Sequence, residues 1–239
     1  MADTLVFIPA WNEEGNLPAV LEDLRAVLPD VDVLVVDDGS TDGTAAVAQA
    51  YGTDVRSFGE NRGLPAGIGA GYAHAARHGY AFCGRVDADG QHPAVELARL
   101  LALVRAGSCD VAVGSRFVAG EGYEAYRYRP SPARRLGTAV LRRAMGLVLR
   151  RPFGDATSGL WAVNAAALPV LARPFTTAAP EVEALIRLAD AGLVVEEVPV
   201  NMAARAGGVS KLRGSKAVRV VLTVTGALVV AKLLSLRRR

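Results

Sequence analysis

The stretch Val35-Val-Asp-Asp-Gly-Ser-Thr-Asp42 decides how the chain folds. The run at residues 32–36 is rich in β-branched side chains, as a buried strand is. It ends on two carboxylates, a glycine turn and residues suited to starting a helix. The same arrangement stands upstream in Ile8-Pro-Ala-Trp-Asn-Glu-Glu14 and downstream in Val86-Asp-Ala-Asp-Gly-Gln-His-Pro93. Ligands of open α/β sheets bind beyond the carboxyl ends of the strands, so three acidic strand ends predict one shared binding edge.

Further short β-branched runs at residues 4–8, 53–57, 81–86 and 110–114 alternate with helical stretches at about 16–28, 43–51, 65–79 and 93–106. That alternation predicts an α/β fold, a Rossmann-like, mostly parallel sheet flanked by helices. Asn16 is placed to cap the first helix, and Pro93 suits the first turn of the fourth. Residues 120–132, rich in Gly, Tyr and Arg, read as a long binding loop, and a helix is expected over 134–150. Helix 180–191, a last strand at 193–200 and an apolar helix at 217–236 complete the reading.

With 239 residues, 51% of them hydrophobic, the chain can bury one α/β core but not two large domains. Cys83 and Cys109 match neither a disulfide framework nor a zinc site, so free thiols are expected, Cys83 as a buried strand residue. The first residues lack a cationic start, and the apolar run at 5–8 is too short for a signal-peptide core. The catalytic part is therefore expected on the cytoplasmic side of a membrane.

Charge is uneven along the chain. Residues 1–197 hold all 24 acids and 18 basic residues, a net of −6, whereas the last 42 residues carry +9. A basic tail with an apolar run favours an anionic membrane surface, and nucleic acid is not expected because no aromatic stacking platform accompanies the charge. The 12 uncharged residues between Arg219 and Lys232 would span ~18 Å as a helix against a hydrocarbon core of ~30 Å. A helix lying in the interface is expected, with a short span aided by a snorkelling Lys232, or packing on the domain, left open. Oligomeric state has no signature in the sequence.

The three acidic strand ends resemble the donor-site motifs of glycosyltransferase family 2, whose fold is GT-A, and the resemblance runs to about residue 213. It implies a domain over 1–213, with an acceptor loop and helix at about 115–151, and a membrane-associating helix over 214–239. Asp87-Ala88-Asp89 is similar to the family's Asp-X-Asp motif, which implies Mg²⁺ or Mn²⁺ held by Asp87 and Asp89, with Gln91 as an additional ligand. Carboxylate oxygens are hard donors suited to both ions, whose remaining positions diphosphate and water can fill. The turn from Asp37 to Asp42 is similar to the nucleoside-binding turn, with Asp38 on base or ribose. Pro9, Trp11 and Glu13 fall where the family has Pro, Tyr and Glu, so Trp11 keeps an aromatic wall but changes its polar tip.

On the acceptor side, Gly114-Ser-Arg116, Arg134 and Thr138 resemble dolichyl-phosphate mannose synthases and bacterial polyprenyl-phosphate glycosyltransferases. Asp155-Ala-Thr-Ser158-Gly159 is similar to the Asp-X-Thr-Ser-Gly stretch of that branch, although Trp161 stands near a common Arg. Arg205 and Lys211 are similar to the closing loop over the donor diphosphate. The resemblance thus implies an inverting transfer of a sugar, mannose or glucose, from a nucleoside-diphosphate sugar to a polyprenyl phosphate, with Asp89, Arg116 and Asp155 at the catalytic step.

Blander readings stand beside these. Surface turns often carry two aspartates, and Thr41 or Asp42 can cap a helix while Asp38 binds. Asn61-Arg-Gly63 and Gly67-Ile-Gly-Ala-Gly71 mimic a dinucleotide fingerprint but lie after the third strand, so they read as a helix start packed near the donor pocket. His74 and His78, four apart, read as a surface or packed face. A hydroxyl acceptor with Glu181 or Glu183 as general base is the alternative chemistry, and an inactive nucleotide- or lipid-binding scaffold is the alternative class.

Overall fold

A computed structural model describes residues 2–120, 122–123, 143, 145–146 and 152–203. Most of the expected helix at 134–150, most of the 120–132 loop, the apolar helix at 217–236 and the boundary at 213/214 lie outside the described residues, as do Arg134, Thr138, Arg205 and Lys211.

Strands β1 (Thr4–Ala10), β2 (Asp32–Asp37), β3 (Asp54–Ser57), β4 (Phe82–Arg85) and β5 (Val111–Ser115) alternate with helices α1 (Leu17–Val27), α2 (Thr44–Ala50), α3 (Leu64–Arg77) and α4 (Ala94–Arg105). Then follow β6 (Trp161–Asn164), α5 (Leu168–Leu171), α6 (Pro180–Asp190) and β7 (Val195–Pro199). The seven strands form one sheet in the order β3-β2-β1-β4-β6-β5-β7. Only β6 runs against its neighbours, β4 and β5; the other pairings are parallel. The carboxyl ends of β1, β2, β4 and β5 therefore share one edge with the segment that enters β6.

The sheet is covered on both faces, which is why β1 is buried at every position. Leu5, Phe7, Leu34 and Val36 pack with Ile68 and Tyr72 of α3, Trp161 of β6 and Leu185 of α6. Val6, Ile8 and Val35, at the alternate positions, pack with Leu17 and Leu21 of α1 and Leu97 and Leu100 of α4. The glycines of α3 let it approach closely: a Cβ at Gly71 would stand 2.2 Å from the Phe7 ring.

Two expected caps differ. Asn16 occupies the N-cap of α1, but its side chain makes no capping bond and donates to the Glu13 carboxylate at 2.8 Å. Pro93 is the N-cap of α4 with extended ψ, not a first-turn residue, and Asp23 of α1 accepts the Ala94 N–H at 2.7 Å. At α4 the reason is tertiary: a carboxylate from the neighbouring helix supplies the acceptor that a local cap would have supplied; at α1 the Asn16 amide is drawn to Glu13 instead. Cys83 and Cys109 are buried free thiols.

Candidate active site

Pro9 is buried in β1 opposite Val36 of β2, and Trp11 just beyond is 39% exposed. Asn12 takes a left-handed backbone (φ 54°), which asparagine tolerates. It ties the first turn to the second: its N–H donates to Ser40 Oγ at 3.0 Å, and its Oδ1 accepts the Thr41 N–H at 2.9 Å. The Glu13 N–H donates to Thr44 Oγ1 at 2.9 Å. Asp38 is buried, and its two oxygens accept the Arg62 and Gly63 N–H groups at 2.7 and 2.8 Å. The Asn61-Arg-Gly63 stretch is thus anchored to the end of β2, and Asp42 accepts the Thr44 N–H at the start of α2.

After β4 the chain turns through Asp87, Ala88 and Asp89. Ala88 is buried, Asp89 accepts the Gln91 N–H at 3.1 Å, and Gly90 takes the left-handed conformation. His92 is buried under the turn, where Nδ1 accepts the Asp87 N–H at 3.2 Å. The Gln91 carbonyl accepts the Ala203 N–H at 3.0 Å, so the segment after β7 passes beside the same turn.

The loop entering β6 forms the opposite wall. Asp155 is 1% exposed and grips Arg116, with Nε on Oδ2 at 2.7 Å and Nη2 on Oδ1 at 2.8 Å, a two-pronged pairing that fixes the guanidinium plane. Glu197 of β7 accepts the Gly154 and Asp155 N–H groups at 2.6 and 2.7 Å. Ser158 is buried; its carbonyl accepts the Trp161 indole N–H at 2.7 Å, so Trp161 is a core residue that anchors the loop. A Cβ on Gly159 would fall 2.0 Å from Asp87 Oδ2. The absent side chain is the room in which the Asp87 carboxylate sits.

A family model, Glycosyl transferase family 2, matches residues 5–169. The chain belongs to that family. It is 34% identical over 221 residues to polyprenol monophosphomannose synthase of Mycolicibacterium smegmatis, covering 89% of this chain and 82% of the relative. It is 32% identical over 229 residues to undecaprenyl-phosphate mannosyltransferase of Micrococcus luteus, covering 92% of each. The crystal structure of glucosyl-3-phosphoglycerate synthase from Mycobacterium tuberculosis with Mn²⁺, UDP and phosphoglyceric acid shares the fold, with a TM-score of 0.69 and 22% identity over 94% of this chain and 78% of that one. This family 2 member is a glycosyltransferase.

Its electrostatics centre on Asp87. Burial raises the Asp87 carboxyl, but Arg85, His92 and Arg116 more than offset this and hold it below the ordinary carboxylate range. Burial lowers the Arg116 guanidinium, and Asp155, Asp87 and Asp89 outweigh that to keep it charged. Among the described residues no group of three or more His, Cys, Asp or Glu side chains can hold a metal by itself. The donor set is two carboxylates on an open turn, which suits a hard divalent cation that shares its shell with substrate phosphates and suits a closed structural site poorly.

The turns that carry Pro9, Trp11, Glu13 and Asp38 are tied to one another, as are those that carry Asp87, Arg116, Asp155 and Ser158. Sequence reasoning missed three participants: Arg85, Glu197 and the backbone-holding role of His92. The one available signal was Arg85, a lone cation inside the otherwise uncharged run Tyr80–Val86. His74 and His78 stack on each other near the end of α3, 4.0 Å between ring centroids.

Proposed function

We propose that this transferase moves a sugar, mannose or glucose, with inversion from a nucleoside-diphosphate sugar to a polyprenyl phosphate at the cytoplasmic face of a membrane. The observation that carries the reading is the seat of Asp87 on Gly159. It sets the Arg116–Asp155 loop directly against the donor motif, so that a leaving diphosphate and an incoming phosphate would meet between them. The names of the two relatives, both acting on polyprenol-type phosphates, support that acceptor, with mannose the favoured sugar.

On this reading Pro9, Trp11, Glu13 and Asp38 line the nucleoside end of the donor pocket, with Asp38 rigid because its oxygens hold the α3 start. Asp87 and Asp89, with Ala88 between them and Gln91 beside them, would hold Mg²⁺ or Mn²⁺, which when bound neutralises charge on the departing diphosphate. Arg116, oriented by Asp155, and Arg134 hold the acceptor phosphate, with Thr138 and Ser158 shaping its loop. Arg205 and Lys211 close over the donor diphosphate; the pairing of Ala203 with Gln91 starts their segment beside the metal turn.

A phosphate monoester with a second pKa near ~6 is already largely dianionic at neutral pH and needs no general base. The two candidate bases for a hydroxyl acceptor are both engaged. Glu181 is ion-paired with the buried Arg85 at 2.9 Å. Burial raises the Glu183 carboxyl, but hydrogen bonds from Thr176 and Thr177 hold it below its ordinary value. On this reading residues 1–213 would carry the transfer and residues 214–239 would bring the chain to the membrane. Among the described residues no helix is long and apolar enough to cross one.

The test is a transfer assay with purified full-length protein, Mn²⁺ and labelled GDP-mannose, UDP-glucose or other sugar nucleotides. Label is expected on an undecaprenyl-type phosphate and not on hydroxyl glycans. Transfer to a hydroxyl acceptor while the lipid phosphate stays unlabelled overturns the reading.

A further inference from the structure

Arg85 is the last residue of β4 and is 2% exposed, on the face of the sheet covered by α3 and α6. Cys83, two residues earlier, faces the same apolar cluster. A guanidinium there is costly unless it is paired, and for packing alone a Met or Leu would serve. Its Nη2 meets two carboxylates from separate elements: Asp87 Oδ1 at 3.1 Å, at the donor turn, and Glu181 Oε1 at 2.9 Å, in the first turn of α6. The pairing remains imperfect. The Arg85 Nε and the hydroxyl of Tyr72 on α3 are buried without a hydrogen-bond partner among the described residues. A buried ion cluster that leaves polar atoms unsatisfied is poor stabilising design, so its retention calls for another cause.

We infer that Arg85 and Glu181 form a positioning pair that clamps the Asp87 carboxylate against Gly159 and so sets the geometry with which the donor turn receives a divalent cation and a diphosphate. The clamp has three sides. Arg85 draws Oδ1 toward α6, Oδ2 rests where a Gly159 Cβ would be, and the His92 ring accepts the Asp87 N–H beneath. Glu181 grips the guanidinium from the far side, and the one arginine and two carboxylates together carry a net −1, which a cation at the donor turn would offset. In this chain Glu181 therefore serves the donor turn instead of deprotonating an acceptor. The inference rests on the proposed role of Asp87 at a cation and diphosphate. Partners that orient a metal ligand typically change metal affinity by about 10- to 100-fold when removed.

The experiment measures Mn²⁺ binding by electron paramagnetic resonance, with GDP and with UDP, on full-length native protein and the variants Arg85→Met, Arg85→Lys, Glu181→Gln, Asp87→Asn and Arg85→Met/Asp87→Asn. Arg85→Met is expected to weaken Mn²⁺ binding by about 10- to 100-fold. Arg85→Lys and Glu181→Gln should fall between it and the native protein, because lysine keeps the charge without the fork. The double variant should be no weaker than Asp87→Asn alone, since Arg85 acts through that carboxylate. Thermal midpoints in the absence of metal identify any variant that fails to fold, in which case Arg85→Lys and Glu181→Gln decide the matter. Unchanged Mn²⁺ affinity in the folded Arg85 and Glu181 variants, or losses that multiply with that of Asp87→Asn, overturn the inference. Native protein that binds neither nucleotide with Mn²⁺ instead overturns the donor-site reading beneath it.

Discussion

At the scale of single residues, the site depends on how closely two loops approach. Gly159 has no room for a methyl group, because Asp87 Oδ2 occupies the place of its Cβ. Gly159→Ala should therefore displace Asp87 and lower kcat by about 10-fold or more, an effect of the size that misplaced reacting groups produce. The thermal midpoint should fall less than activity, since Gly159 is buried but the partly exposed Asp87 side chain has room to shift; steady-state kinetics beside calorimetry checks both. Asp155→Asn is expected to act differently. It removes the charge that fixes Arg116 and leaves a half-buried guanidinium without its ion partner, at a cost on the order of 3 kcal/mol. Activity and denaturation midpoint should fall together, and Arg116→Met/Asp155→Asn should recover stability but not transfer.

At the scale of elements, the approach to α6 is held by Glu183, whose carboxylate accepts the Thr176 and Thr177 N–H groups at 3.0 and 2.8 Å and pairs with Arg187. Its folded pKa is lowered from an ordinary 4.5, so its stabilisation is complete above that pH and fades as pH falls through the lower folded value. Glu183→Gln should cost about 1 kcal/mol at neutral pH and nothing once both forms are protonated, which urea melts across the acid range would show. The β-α alternation from β1 to β5 was legible because each strand is a β-branched run closed by a turn, and the three acidic ends fall where such a sheet binds ligands. Two elements escaped the reading. Strand β6 is four residues long, and Trp161-Ala-Val-Asn164 has no turn signature announcing an antiparallel strand between β4 and β5. Helix α5 is a single four-residue turn. Glu197 was not legible as a site residue because only the fold brings a β7 carboxylate under the Asp155 loop; Arg85 stands two residues from Asp87, but its second partner, Glu181, lies 96 residues on and only the fold shows the pair.

At the scale of the whole molecule, an acidic body of net −6 precedes a basic end of +9. If that end meets anionic lipid, full-length protein should sediment with vesicles containing phosphatidylglycerol, much less with phosphatidylcholine alone, and progressively less as salt screens the contact. Equal sedimentation with both lipids at every salt concentration would leave the charge without this role. The central claim is narrower: the carboxylates after β4 serve a divalent cation at a departing diphosphate. The most direct measurement is sugar-nucleotide turnover by the Asp87→Asn/Asp89→Asn protein over a Mn²⁺ titration. The account predicts a folded protein whose turnover drops by about 1000-fold, the scale of losing a principal electrostatic stabiliser, and no longer responds to Mn²⁺. Native-level turnover with an unchanged Mn²⁺ response would contradict it.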